Sequence, residues 1–427
     1  MQQAYARLAG TPTGPGLPSA WRQSPVVIGD RTLSRVRLQP DNGRPAIQLV
    51  FLRLPDGVPT GTGTDEYGLQ SLLRLYQGRI RTINASDRTQ SYTERQLLDT
   101  LTALIRRFRA SDVRTLDYLN SKLGYSITEG VDHSDHSVAA RLLREATLRA
   151  RQQSRAALPL QGYEGYGIAT RPGNLPAATS DRKRTVFRNY DVHDDQTGDD
   201  CPTVLIYCTP DKPRADDYAS WVRRFYPCPE PRARGGQIVS WIGNDNAAYT
   251  RPELCLTASP ATSTAITTAS CGRSPQQWSL TGGALRQGTR CARVSGDRPV
   301  LGACPARPTR WTLTPAGRIR TGTLCRTQDD LLRTRPRLRT APCSATDPGQ
   351  RWFTDRALRT APSSDALNGD VGIAGSAVLP LGTLLGSAYA AAFTDWYSKA
   401  ITVSSPDSRA REDGYLRGRA PATAWDL

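Results

Sequence analysis

Apolar positions along the first 150 residues alternate between two periods. Residues 46–54, AIQLVFLRL, form an apolar run of strand length. Residues 67–78 place Leu69, Leu72, Leu73 and Tyr76 at helical spacing and stop at Gly78. The strongest helical signal is 91–108, where Leu97, Leu98, Leu101, Leu104, Ile105 and Phe108 share one face and Ser91 with Glu94 fits a capping box. A short strand follows at 112–118, then a loop rich in Gly, Ser and Asn. A second amphipathic helix runs through Val138, Leu142, Leu143 and Leu148. This rhythm predicts an α/β domain with parallel strands, whose chemistry sits on loops leaving the carboxyl ends of strands. The opening QQAYARLAGTP reads as the end of a helix stopped by Gly10 and Pro12, as in a chain entered midway.

The texture changes from about residue 255 to 354. Helical periodicity disappears, and short apolar runs alternate with Gly, Pro, Ser and Thr, which predicts an all-β region. Three similar units begin at Cys255, Cys291 and Cys325. Each reads Cys, a variable stretch, Cys, then Trp: Trp278, Trp311 and Trp352. Three copies predict threefold pseudo-symmetry with the tryptophans in a shared core. Residues 371–394 carry no charge for 24 positions, long enough to span a bilayer. They are rich in Gly, Ala and Ser, are interrupted by Pro380 and lack basic residues on the amino side. A buried helix is therefore expected over membrane contact, and the remainder of 356–427 carries no motif.

Charge changes the picture less than its size suggests. The net charge is +17, almost all from Arg, with Lys only at 122, 183, 212 and 399. The arginines are scattered, with no stripe and no aromatic platform between them, so nucleic acid is not expected as a partner. A basic surface still favours anionic substrates. All nine cysteines lie between Cys201 and Cys343 without a CxxC, which argues against a Cys-based zinc site and for disulfides in an exported protein. The polar amino-terminal segment does not read as a signal peptide.

The candidate chemistry lies in GVDHSDHSVAARLLREA, residues 130–146. Two of the chain's three histidines, His133 and His136, sit three apart at a helix start, flanked by Asp132 and Asp135. One reading is structural: Asp132 or Ser134 caps the helix and the imidazoles are solvated. The other is chemical. Positions i and i+3 share a helix face, the helix amino end favours an anion, and Asp135 can fix an imidazole tautomer. His193, among Asp191, Asp194 and Asp195, reads as part of a solvated acidic loop.

SLLRLYQGRIRTI, YTERQLLDTLTALIRRF, VRTLDY and above all DHSDHSVAA resemble the PIG-L/LmbE family of zinc-dependent deacetylases. FLRLPDG (51–57) and YASWVRRFY (218–226) resemble its actinobacterial and fungal subgroup. The resemblance covers roughly residues 1–226 and implies a Rossmann-like α/β fold. It also implies Zn2+ as cofactor and hydrolysis of N-acetylated amino sugars or their conjugates. It makes His136 a zinc ligand, places His133 beside the reacting carbonyl and gives Asp135 the task of orienting His133. The family's His-Pro-Asp-Asp-like motif has no counterpart, since no His precedes His133. The chain is therefore expected to lack the first strand and part of the metal site, with little activity on its own.

The Cys–Cys–Trp units, with Gln276 and Gln350 two residues before their tryptophans and Thr309 in the middle copy, resemble the ricin-type β-trefoil lectin domain. The resemblance implies disulfides Cys255–Cys271, Cys291–Cys304 and Cys325–Cys343, with Cys201 and Cys208 as the next partners and Cys228 left over. Sugar-binding repeats carry Asp two residues after the first Cys; here Thr257, Arg293 and Thr327 stand there. The expected organisation is a deacetylase-like domain at 1–235, a linker at 236–252, a trefoil at 253–355 and a tail at 356–427. The expected partners are an N-acetylated sugar conjugate and polysaccharide. The rival reading is a non-catalytic carbohydrate-binding protein whose α/β part only scaffolds.

Overall fold

A computed structural model describes residues 2–12, 20–39, 47–124, 131–154, 157–191, 222–228, 230–243, 253–260, 262–272, 275–355, 358 and 402–404. The chain opens with α1 (Gln2–Leu8), then a meander of β1 (Trp21–Ile28), β2 (Arg31–Leu38) and β3 (Gln48–Phe51). Gly29, in a left-handed conformation, and Asp30 form the tight turn between β1 and β2. All three strands pair antiparallel. The apolar run at 46–54 therefore completes an antiparallel sheet rather than joining a parallel one. Its partner is β2, which buries Leu33, Val36 and Leu38.

The next elements are α2 (Leu72–Tyr76), the short pair β4 (Ile83–Asn84) and β5 (Ser91–Tyr92), and α3 (Glu94–Arg107). Helix α2 is shorter than its periodicity predicts. Ser71 caps it by accepting from Arg74 N, while Leu69 has a positive φ and lies outside the helix. The capping box of α3 uses Thr93 and Gln96, not Ser91 and Glu94. Ser91 is spent in β5, where its carbonyl accepts from Arg31, and Glu94 is spent on an ion pair with Arg333.

Then come β6 (Asp112–Thr115), α4 (Ser134–Ser154), β7 (Leu160–Gly162) and α5 (Ala177–Asp191). Strands β6 and β7 are parallel, the one parallel pair among the described strands, and α4 is their crossover. A late strand, Thr402–Ser404, adds antiparallel to the outer edge of β6. The first part of the molecule is thus mixed α/β.

The second part is antiparallel β. Its strands are β8 (Ile238–Ser240), β9 (Leu254–Ala258), β10 (Ile266–Ser270), β11 (Ser279–Thr281), β12 (Ala284–Gln287), β13 (Arg290–Ser295) and β14 (Arg298–Ala303). After them come β15 (Thr312–Leu313), β16 (Ile319–Thr321), β17 (Leu324–Gln328), β18 (Leu338–Pro342) and β19 (Trp352–Thr354). They form three four-stranded sheets, β10-β9-β8-β19, β11-β12-β13-β14 and β15-β16-β17-β18. The first sheet is closed by the last strand, so the three units complete a ring. Strand β8 falls within the stretch read from sequence as a linker.

The units repeat one solution. Each indole Nε1 donates to the carbonyl one residue past the unit's first cysteine: Trp278 to Leu256, Trp311 to Ala292 and Trp352 to Arg326. Each tryptophan N–H donates to a glycine carbonyl, at Gly236, Gly283 and Gly317. A Cβ on Gly236 or Gly317 would lie 2.7 or 2.6 Å from the carbonyl oxygen of its tryptophan, so no side chain fits there. Disulfides Cys255–Cys271, Cys291–Cys304 and Cys325–Cys343 each join the strand with the unit's first cysteine to the residue just past its hairpin partner. Ile238, Leu256, Ile266, Leu285, Leu301 and Ile319 fill the core around the tryptophans.

The two parts share a boundary core. Trp241 and Leu332, from the β-rich part, are buried in the same apolar cluster as Leu98, Leu142 and Tyr118. The loop after β17 brings Asp330 against α4. Asp330 accepts from Arg141 Nε at 2.8 and 2.9 Å and from Arg144 Nη2 at 3.2 Å. Burial pushes the Asp330 carboxyl up, but Arg141 and Arg144 together hold it below the usual carboxylate range. Arg333 pairs with Glu94 and stacks on Tyr76, and Gln77 donates to the Leu332 carbonyl.

Candidate metal centre

The site lies where the parallel pair ends. Loops leave the carboxyl ends of β6 and β7 and meet the amino end of α4, as the α/β rhythm predicts. Three features hold that corner. Asp117 Oδ1 accepts from the N–H groups of Leu119 and Asn120, which turns the chain sharply after β6. Lys122 O accepts from Asp132 N, so the segment before the histidines runs alongside residues 122–124. After β7, Tyr166 brings its N–H to 3.3 Å from Asp132 Oδ1 and its ring to 4.8 Å from that of His136.

Both imidazoles are buried, His133 at 3% exposure and His136 at 0%. The solvated-cap reading of the pair therefore fails. His133 does terminate the helix, but with its ring: Nδ1 accepts from Asp135 N at 3.2 Å. An accepting Nδ1 puts the proton of the neutral ring on Nε2, which faces Asp56 Oδ1 at 3.4 Å. His136 takes the opposite tautomer. Its Nδ1 lies 2.8 Å from Asp132 Oδ1, and an acceptor carboxylate there makes Nδ1 the donor. The two rings stand 5.2 Å apart, centroid to centroid.

Asp56 is the residue that sequence reading missed. It comes from the PDG turn that follows β3, in the loop 55–63. This loop is pinned from two sides. Asp135 Oδ2 accepts from Gly57 N at 2.7 Å, Ser134 Oγ donates to Val58 O, and Ser134 N donates to Pro59 O. On the other side Ser71 Oγ donates to Gly61 O, and Gly61 sits so close to Leu73 that a Cβ would be 2.3 Å from its Cδ2. Gly57 is equally confined, with Asp135 Oδ1 at 2.8 Å and Ser71 Cβ at 2.9 Å from a notional Cβ. The turn was visible as Pro-Asp-Gly; its return to the start of α4, 78 residues on, was not.

Asp56, His133 and Asp135 thus offer one nitrogen and two carboxylate oxygens, all within 4.8 Å of one another. One imidazole and two carboxylates are a donor set that a divalent metal ion can use. The Asp56–His133 edge measures 3.4 Å at Nε2; since that nitrogen carries the proton of the neutral ring here, it would have to give the proton up, with Nδ1 released from Asp135 N, before it could ligate an ion. His136, the ligand that the family resemblance implies, lies outside this close group. Its Nδ1 bond to Asp132 is the kind of contact that orients a ligating histidine. Asp135, expected to orient His133 by accepting from its ring, meets Nδ1 with its backbone N–H instead, and its carboxylate belongs to the close group.

Other expected features fall elsewhere. His193, Asp194, Asp195, Cys201, Cys208 and the stretch 371–394 lie outside the described residues. Cys228 is buried, with its Sγ–H toward Asp117 Oδ1 at 3.2 Å. No helix among the described residues is long and apolar enough to cross a membrane. The three positions where sugar-binding repeats carry Asp differ in use. Thr257 and Thr327 spend their hydroxyls on the carbonyls of Cys255 and Cys325, and Arg293 is exposed.

No protein-family model matches the chain, and no curated protein matches it. Among solved structures it is similar to a crystal structure of GalNAc-T7 with UDP, GalNAc and Mn2+. That similarity has 12% identity and a TM-score of 0.22, over 24% of this chain and 20% of that one. The chain thus spans about a fifth of that protein's length, and a likeness this slight bears on neither fold nor function.

Proposed function

We propose that the α/β part is a metal-dependent amide hydrolase acting on N-acetylated amino sugars or their conjugates, with Zn2+ the expected metal. The observation that carries this reading is the Asp56–His133–Asp135 group, with His133 and Asp135 buried and Asp56 partly open, at the carboxyl end of a parallel strand pair. Asp56, His133 and Asp135 would hold the ion. A bound zinc supplies Lewis acidity, lowering the pKa of water and polarising an amide carbonyl. His136, its ring 5.2 Å from that of His133 and its Nδ1 held by Asp132, would be the group placed to move a proton there. The nature of the substrate rests on the family resemblance of DHSDHSVAA and its neighbours, not on the geometry.

We also read the second part as a ricin-like β-trefoil, on the strength of its three units with equivalent disulfides and indole bonds. Three disulfides fit an oxidising, extracellular setting. The internal use of Thr257 and Thr327 favours a structural part for this unit over sugar capture at those two positions. The test of the hydrolase is acetate release from N-acetylglucosamine conjugates by the zinc-loaded full chain. The expected result is release that a chelator abolishes and added zinc restores. Metal-loaded protein without acetate release from any such conjugate would contradict it.

A further inference from the structure

The buried junction between the two parts touches the histidine corner by two routes. Arg141, whose Nε is held by Asp330, turns its remaining nitrogens away from the β-rich part. Nη1 donates to the carbonyls of Ser137 at 3.1 Å and Asn120 at 2.9 Å, and Nη2 donates to Ser121 Oγ at 2.9 Å. Ser137 directly follows His136, so the first route fixes the turn of α4 that carries that ring. The second route runs through the chain after β6. Asn120 Oδ1 accepts from Lys122 N, Lys122 O accepts from Asp132 N, and Asp132 Oδ1 holds His136 Nδ1. Arg144 secures the same corner from behind. It contacts Asp330 and donates to the Tyr118 and Trp241 carbonyls, with its guanidinium 5.3 Å from each of those rings.

We propose that Asp330 is a positioning residue: the third β unit sets the geometry of the histidine pair by holding Arg141 and Arg144 on α4. The third unit's loop differs from that of the second. The loop joining β13 to β14 in the second unit is the two-residue turn Gly296–Asp297, whereas β17 and β18 are joined by the nine residues 329–337, which reach α2, α3 and α4. Removing one partner of a buried ion group leaves the other charges uncompensated, so the arginines must rearrange when Asp330 loses its charge. Their other contacts, to Ser137 and Asn120, move with them. The β-rich part is on this account a buttress of the site rather than a tethered module. The inference concerns the two rings themselves and holds with or without a bound metal, so its failure is separable from failure of the hydrolase reading.

The test uses metal-free full-length chain labelled with 15N only at histidine. With three histidines, the long-range 1H–15N spectrum resolves every ring. The unaltered chain should show one buried ring protonated at Nε2, for His133, and one at Nδ1, for His136. Asp330→Asn should shift the His136 and His133 ring signals and lose the opposed tautomer pattern. Arg333→Met is the control for simple loosening, because it breaks the Glu94 and Tyr76 contacts of the same loop without touching Arg141. It should lower the melting temperature and leave both rings unmoved. Should Asp330→Asn fail to fold, Arg141→Lys carries the same expectation, since it loses the fork to Ser137 and Asn120 while keeping the charge. Unchanged ring signals in the folded Asp330 or Arg141 variant would overturn the proposal. So would equal shifts in Arg333→Met.

Discussion

The two parts of this molecule solve the same packing problem in opposite ways. The β-rich part uses one arrangement three times: a disulfide, an indole bonded to the carbonyl after a cysteine, and a glycine under the tryptophan. The α/β part uses each of its contacts once, and its key loop, 55–63, is held by hydrogen bonds to residues some 75 positions away. Repetition makes the first kind of structure robust and readable. Singularity makes the second kind able to gather Asp56, His133 and Asp135 in one place. Where the third unit breaks its own repeat at 329–334, it departs toward the unrepeated part.

Breaking the repeat should have the largest effect. Trp311→Ala removes a fully buried indole and its bond to Ala292, which should cost about 3–5 kcal/mol in urea unfolding. A loss near zero would mean that the ring of units is not a common core. The reverse change should stabilise. Arg326 occupies the position held by Leu256 and Ala292 in the other units, and it is wholly buried, with Trp311 beneath its guanidinium. Its nitrogens have no hydrogen-bond partner among the described residues, and burial pushes it down to about 9, still charged at neutral pH. Arg326→Leu should therefore raise stability by about 1–3 kcal/mol, read from the same unfolding curve.

A smaller effect sharpens the comparison from the α/β side. Lys183 is buried against the Arg224 carbonyl, and burial lowers it to about 7. The unfolded chain keeps that proton until about pH 10.4 while the folded chain gives it up from about 7. The cost of burying the ammonium is therefore full below pH 7 and is relieved as pH rises toward 10. The melting temperature should climb over that window, and Lys183→Met should remove this part of the climb. The smallest change is at α3. Thr93→Ala removes the cap and should cost about 1 kcal/mol, whereas Ser91→Ala should cost little through capping.

Those last two residues show what sequence could and could not reveal. The helix at 91–108 was legible because six apolar residues share a face; its cap was not, because Ser91 is drawn into β5 and Glu94 into a pair with Arg333, both long-range events. The three disulfides were legible through a family resemblance and the repeat itself. His133, Asp135 and His136 stood out by their spacing, and their position at the carboxyl ends of β6 and β7 followed from the α/β rhythm. Asp56 did not stand out, since an acidic turn residue acquires meaning only when α4 arrives beside it. The antiparallel pairing of β3 was hidden for a similar reason: an apolar run shows that a strand exists, not which neighbour it takes.

Metal binding by the Asp56–His133–Asp135 group is the claim on which the functional account depends, and zinc titration of the metal-free full chain by calorimetry tests it most directly. The account predicts one tight ion per chain, with affinity at least about tenfold weaker in Asp56→Asn and lost in His133→Ala. A chain that takes up no zinc, or one whose Asp56→Asn and His133→Ala variants bind it as tightly as the unaltered protein, would contradict it.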